Sequence, residues 1–287
     1  MGPLELVKLD RLMDRSIGRS EIVVGLIDGP VVIDHPDLAG SNVREIAGRQ
    51  RASCALSQSL ACLHGTFVAG ILSARRGSSA PSICPGCTLL VRPIFGESLA
   101  SSVEMPIATR EEVATAITDA VQAGANVINL SAGLARPSLR GERLLELALD
   151  YAARRGVLVV AAAGNQGTVG SSAITRHPWV IAVIGCDLNG SPTAESNLGR
   201  SIGTRGLAAP GQDITSLGTD GNLQTSGGTS TAAPFVTGTI ALLWSEFPGA
   251  SAAQLKLAVT QAGRQPRRTI APPLLNAWAA YEAMTLN

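Results

Sequence analysis

Glu21-Ile-Val-Val-Gly-Leu-Ile-Asp28 is an apolar run closed by Asp28-Gly29-Pro30. A short continuous apolar run that stops at a turn signal reads as a strand buried on both faces. Four more segments repeat the pattern: Leu89-Leu-Val-Arg-Pro-Ile94, Asn126-Val-Ile-Asn-Leu130, Val157-Leu-Val-Val-Ala-Ala162, and Trp179 to Ile184. Helical signals lie between them. Thr109-Arg-Glu-Glu112 is a capping box opening an amphipathic helix that closes at Gly124. Glu142 to Arg155 carries an acid in its first turn, cations in its last turn and Gly156 after it. Strand and helix alternate, which predicts an α/β fold in three layers: a mainly parallel sheet with helices on both faces. Functional groups on such sheets collect at the carboxyl ends of the strands. Here those ends are Asp28, Ser131-Ala132-Gly133 and Gly164-Asn165.

The chain has 287 residues, 45% of them hydrophobic, and neither a repeat nor a convincing linker interrupts it. One domain spanning residues 1–287 is the expected organisation. Net charge is +1 and charged residues make up 16%, so no basic excess points to nucleic acid and no acidic excess to a solvating tail. The longest weakly polar stretch, Thr231 to Trp244, is shorter than the roughly 20 apolar residues that cross a bilayer. Lys8, Asp10, Arg11 and Asp14 stand where a signal peptide would be apolar. A cytoplasmic enzyme is expected, or a secreted one if a presequence has been removed.

Five cysteines, Cys54, Cys62, Cys84, Cys87 and Cys186, cannot all pair within one molecule. Reduced thiols are the expectation without a signal peptide. A Cys54–Cys62 or a Cys62–Cys87 bridge remains open. Cys84-Pro-Gly-Cys87 has the spacing of a redox motif, but a structural role is the favoured reading.

Acyl transfer needs a nucleophile, a base, a group that orients the base, and donors for the oxyanion. Asp28 at the end of a buried strand needs a partner, and an imidazole N–H is a good one. His64 is followed by Gly-Thr-Phe-Val-Ala-Gly70, a helix start with small residues for close packing. His35 and His177 each precede a proline and read as turn residues. Ser230 lies in Ser226-Gly-Gly-Thr-Ser-Thr-Ala-Ala-Pro-Phe-Val-Thr-Gly238, where glycines lead into a buried helix. Its position predicts a helix N-terminus, with Pro234 inside the first turn. Asn165, in Ala161-Ala-Ala-Gly-Asn-Gln-Gly167, offers a side-chain amide on a Gly-flanked turn.

At these residues the sequence resembles the subtilisin superfamily of serine peptidases. The order Asp28-Gly-Pro, His64-Gly-Thr-Phe-Val-Ala-Gly70, Gly228-Thr-Ser-Thr-Ala-Ala-Pro234 follows that family, as do His35-Pro-Asp-Leu38 and Ala208-Ala-Pro-Gly211. The resemblance runs from about Glu21 to Pro248. Most members carry Asp-Ser-Gly or Asp-Thr-Gly after the acid. Asp28-Gly29-Pro30, with Pro93-Ile-Phe-Gly96, is instead similar to proteases that mature cyanobactins and other ribosomal peptide natural products.

The resemblance implies a serine endopeptidase acting through an acyl-enzyme, possible substrates including such a precursor peptide. It implies Asp28, His64 and Ser230 as the catalytic triad and Asn165 in the oxyanion hole, with Thr229 as further support. It also implies a peptide or protein substrate lying as an added strand against Ser131, Ala132 and Gly133, with Gly164 and Gln166 beside its pocket. No cofactor, nucleic acid or membrane partner is expected. Asp37 matches a calcium-binding carboxylate of many relatives, but the loop Ser73-Ala-Arg-Arg-Gly-Ser-Ser-Ala80 brings Arg75 and Arg76 where ligands would stand, so no metal is expected. A catalytically inactive peptide-binding pseudoprotease is the alternative, and no triad position is lost in its favour. A nucleotide-binding domain is disfavoured by the lack of a G-x-G-x-x-G or P-loop motif.

Overall fold

The computed structural model describes residues 1–97, 108–131, 142–262 and 269–286. Two short helices, α1 (Pro3–Leu6) and α2 (Leu9–Arg15), precede β1 (Val23–Asp28). β2 (Asn42–Glu45), α3 (Leu60–Ser73), β3 (Thr88–Pro93), α4 (Arg110–Gln122) and β4 (Val127–Leu130) follow. Next come α5 (Arg143–Arg154), β5 (Leu158–Ala162), α6 (Ala173–Arg176), β6 (Val180–Cys186), α7 (Arg200–Arg205) and β7 (Leu207–Pro210). A hairpin of β8 (Ile214–Leu217) and β9 (Leu223–Ser226) leads into α8 (Thr229–Glu246), α9 (Ala252–Gln261) and α10 (Ala277–Thr285).

The five apolar runs become adjacent strands of one seven-stranded sheet, in the order β2-β3-β1-β4-β5-β6-β7. Every pairing in it is parallel. Alternate residues face opposite sides. Val24, Leu26, Leu158 and Val160 pack with Phe67 of α3 and Phe235 of α8. Ile27, Ile128, Val159 and Ala161 pack with Ile117 of α4 and Leu149 of α5. Both faces are therefore covered, which is why the strands read as unbroken apolar runs. The chain passes from β3 to β4 across β1, so the winding direction reverses beside β1 and opens a crevice at its carboxyl end.

Three expectations are refined by the structure. Thr109 caps α4 by accepting the N–H of Glu112, but the Glu112 carboxylate does not return to the cap. It is drawn to Arg92, a buried cation on β3 that also pairs with Asp119. Pro234 lies in the second turn of α8 and not the first. The N–H it lacks is the one that would meet the Ser230 carbonyl, so the lost bond falls at the start of the helix. Cys54 and Cys62 are disulfide-bonded, with Cα atoms 5.7 Å apart, whereas reduced thiols were expected. The pairing follows from placement: Cys54 donates its N–H to Val31, just past β1, and Cys62 lies in the first turn of α3. Cys84, Cys87 and Cys186 are free and buried. Among the described residues no helix is long and apolar enough to cross a membrane.

Candidate active site

Asp28 ends β1 with its side chain fully buried, and its Oδ1 accepts the N–H of Gly29 at 2.6 Å. His64 lies in the opening turns of α3, and Ser230 is the second residue of α8. The three meet in a line. Asp28 Oδ1 lies 2.7 Å from His64 Nδ1, and His64 Nε2 lies 2.8 Å from Ser230 Oγ. Glycines permit this convergence. A β-carbon on Gly65 would meet the carbonyl oxygens of Pro30 at 2.3 Å and Gly29 at 2.5 Å, so α3 rests directly on the turn after β1.

Burial opposes protonation of His64, but the charge of Asp28 and its hydrogen bond outweigh it and hold the imidazole pKa above its ordinary value. An ionised Asp28 places the ring proton on Nδ1. Nε2 is then the acceptor that faces the Ser230 hydroxyl. A carboxylate, an imidazole and a hydroxyl are thus within hydrogen-bond reach of one another, the set of groups that nucleophilic catalysis requires.

Asn165 is exposed on the loop after β5, with Gly164 at φ +102° and Gly167 at φ +61°. Its Oδ1 accepts both the N–H and the hydroxyl of Thr229, each at 2.9 Å. The Thr229 hydroxyl in turn accepts the N–H of Gly164 at 3.1 Å. With Oδ1 engaged, Nδ2 is the remaining donor, and a β-carbon on Gly228 would lie 2.8 Å from it. Gly228, at φ +108°, immediately precedes α8. The first N–H groups of a helix have no intrahelical partner, and that of Ser230 is among them. An amide and a helix N-terminus therefore lie beside the same hydroxyl, the arrangement that suits a developing anion.

Ser131 follows β4. Its N–H reaches Ile27 at 3.1 Å, and its hydroxyl accepts from Asn129 at 3.1 Å. Ala132 and Gly133 lie outside the described residues. Gly164 is buried and Gln166 is exposed. The sequence reading missed Asn197, which bonds to the residues on either side of Asn165. Only the turn-like run Ser196-Asn-Leu-Gly199 hints at it, and that run has no chemistry of its own.

Asp37 pairs with Arg75 at 3.1 Å, and the Arg75 N–H reaches the Asp37 carbonyl at 2.7 Å. Among the described residues Cys54, Cys62 and Glu97 are grouped closely enough to suit a metal. The two sulfurs are joined in the disulfide, and the carboxylate accepts the N–H groups of Ala55 and Leu56. That set does not fit a metal centre.

The parallel sheet, the central helix α8 and this cluster at the strand ends define a serine peptidase of the α/β type. Residues 19–270 match the model of the subtilase family, Peptidase S8, and the chain belongs to that family. It is a serine-type endopeptidase. It is 30% identical over 258 residues to subtilisin DY of Bacillus licheniformis, covering 88% of this chain and 87% of the relative. Thermitase of Thermoactinomyces vulgaris is 31% identical over 238 residues, 82% of this chain and 78% of the relative. Among solved structures, a mutant of the PatA protease domain matches with a TM-score of 0.85 at 32% identity, over 94% of this chain and 98% of that one. The prenylagaramide maturation protease PagA matches with a TM-score of 0.83 at 29% identity, over 96% and 98%.

Proposed function

We propose that this chain cleaves precursor peptides of ribosomal natural products, with Asp28, His64 and Ser230 as its catalytic triad. The observation that carries the catalytic reading is the unbroken hydrogen-bonded line from Asp28 Oδ1 through both His64 nitrogens to Ser230 Oγ. The substrate reading is supported by the likeness to PatA, described as a patellamide maturation protease, and to PagA.

In this reading His64 Nε2 takes the Ser230 proton as the oxygen attacks the peptide carbonyl. Asp28 holds the ring tautomer and stabilises the imidazolium. The tetrahedral oxyanion is met by Asn165 Nδ2 and the Ser230 N–H, and Thr229 keeps the Asn165 amide turned the right way. His64 then protonates the leaving amine, and water releases the acyl group by the same steps. The substrate lies extended against Ser131, Ala132 and Gly133, next to Gly164 and Gln166. The whole of residues 1–287 acts as one peptidase domain.

Labelling by a fluorophosphonate probe tests the nucleophile. Wild type is expected to label at Ser230, and Ser230→Ala is expected neither to label nor to cleave. The loss of kcat should be on the order of 10⁶. Retention of more than about a hundredth of wild-type kcat by Ser230→Ala would remove Ser230 from the triad. Cleavage mapping on a proteome-derived peptide library, alongside candidate precursor peptides, tests the substrate class. Equal rates on both sets would overturn a dedicated maturation role.

A further inference from the structure

Asn197 lies between β6 and α7 at 6% exposure. Its side chain makes five hydrogen bonds to the Asn165 loop. Oδ1 accepts the N–H of Gln166 at 3.1 Å, the N–H of Thr168 at 3.0 Å and the Thr168 hydroxyl at 3.0 Å. Nδ2 donates to the Ala163 carbonyl at 3.2 Å and to Gln166 Oε1 at 2.6 Å. The Asn197 backbone N–H adds a sixth bond, to the Gly164 carbonyl at 2.9 Å.

These partners stand before and after Asn165 in the chain, and none of them is Asn165 itself. We propose that Asn197 is a positioning residue for catalysis: it clamps the backbone of the loop so that the Asn165 amide stays aimed where the oxyanion forms. The proposal rests on the reading of Asn165 as an oxyanion donor.

The physical case has two parts. The loop contains Gly164 and Gly167, both at positive φ, so its backbone has little intrinsic stiffness. A donor contributes to catalysis through being fixed before the reaction begins, and looseness of about 1 Å forfeits much of that gain. Thr229 fixes the tip of the Asn165 side chain, but it cannot fix the peptide planes on the far side of Asn165. Asn197 supplies that second restraint.

The residue type follows from the demand. One atom must accept from three donors, and its neighbour must donate to two oxygens. A short primary amide offers both on adjacent atoms. Aspartate would keep the acceptor and face two oxygens with a third. Serine would be too short to span the loop. Contact is already tight: a β-carbon on Gly164 would lie 2.4 Å from Asn197 Nδ2.

The test is a double-mutant cycle of Asn165→Ala and Asn197→Ala, measured as kcat and KM. Competent enzyme is counted by end-point fluorophosphonate titration. Asn197→Ala is expected to lower kcat by roughly 10- to 100-fold, with KM changed less than about threefold. In the Asn165→Ala background it should lower kcat by less than about threefold, because the group it positions is gone. Multiplicative losses would overturn the proposal and leave the oxyanion reading standing. An unchanged kcat in Asn197→Ala alone would also overturn it. An unchanged kcat in Asn165→Ala alone would overturn the oxyanion reading, and the proposal with it. If Asn197→Ala does not accumulate as folded protein, Asn197→Asp keeps the acceptor oxygen and runs the same cycle.

Discussion

The β-carbon that Gly29 lacks would lie 1.9 Å from the carbonyl oxygen of Ala61, so the turn after β1 and the first turn of α3 meet backbone to backbone. Asp28 precedes that contact by one residue and His64 follows it by three, so it sets their separation. A serine at residue 29 could offer a hydroxyl to Asp28 Oδ2, which is buried and without a partner among the described residues. Its β-carbon has no room. Gly29→Ser is therefore expected to lower both Tm and kcat, the first by overpacking of about 1–3 kcal/mol and the second by more than tenfold. Wild-type values of both would show that the contact is soft.

Protonated His64 cannot accept the Ser230 proton. Its pKa is held above the usual imidazole value of about 6.5 by Asp28, against the effect of burial. The acid limb of kcat/KM should therefore have its midpoint above about 6.5. The same shift contributes to stability. The folded state binds this proton more tightly than the unfolded chain, so the contribution is complete below about 6.5 and disappears as pH rises through the folded value. A kinetic midpoint at or below 6.5 would refute the Asp28–His64 pairing in its ionised form.

Asp28, His64 and Ser230 were legible as candidates because each sits at the end of a pattern that sequence expresses locally. An apolar run ends at Asp28, and Gly-rich helix starts carry His64 and Ser230. The five central strands were legible for the same reason. β2 was not, since Asn42-Val-Arg-Glu45 is a half-exposed edge strand with no apolar run. Nor were α1 and α2: α2 buries Leu9, Leu12 and Met13 in the core, and α1 packs the partly buried Leu4 and Leu6 against it. Asn197 was invisible because its partners are mostly backbone atoms some thirty residues away, and backbone atoms leave no trace in side-chain pattern. Glu112 deceived the reading because a buried arginine is a stronger attractor than an N-cap amide.

The Cys54–Cys62 bridge ties the segment paired with Val31 to the helix that bears His64. It closes a short loop, for which about 2–3 kcal/mol is expected. Reduction by a phosphine should lower Tm by roughly 5–10 °C in a chain of this size. A melt that does not respond to reductant would mean that the bridge contributes little beyond the hydrogen bonds of that loop.

Chelation should leave the enzyme folded. Where many relatives bind calcium, the Asp37 carboxylate is met by the guanidinium of Arg75. Both are partly exposed, so the pair itself adds little stability. Its importance is that the Asp37 carboxylate already has a cationic partner. Melts with and without EDTA should agree within about 5 °C, and a larger drop, roughly 1–3 kcal/mol, would reveal a structural ion elsewhere.

The primary pocket is expected to prefer uncharged side chains before the cut. Of the residues proposed to line it, Ser131 is neutral with its hydroxyl turned to Asn129, and Gly164 is buried without a side chain. Gln166 stands where some relatives carry Glu, which can select Lys or Arg by charge. Its Oε1 is taken by Asn197 Nδ2, which leaves the amide NH₂ as its outward polar group. That group is a hydrogen-bond donor and offers an ammonium no acceptor. Glu195 comes close to Gly167 through its backbone, its carbonyl oxygen accepting the Gly167 N–H at 2.7 Å, and its side chain is exposed. A lysine entering the pocket would lose hydration without gaining a counter-ion, at a cost of several kcal/mol unless its head reaches back to water. kcat/KM for matched peptides with Leu, Phe, Gln, Lys or Glu at that position should rank the neutral residues first. A preference for Lys above roughly tenfold over Leu, about 1.4 kcal/mol, would mean that an acid such as Glu195 swings into the pocket.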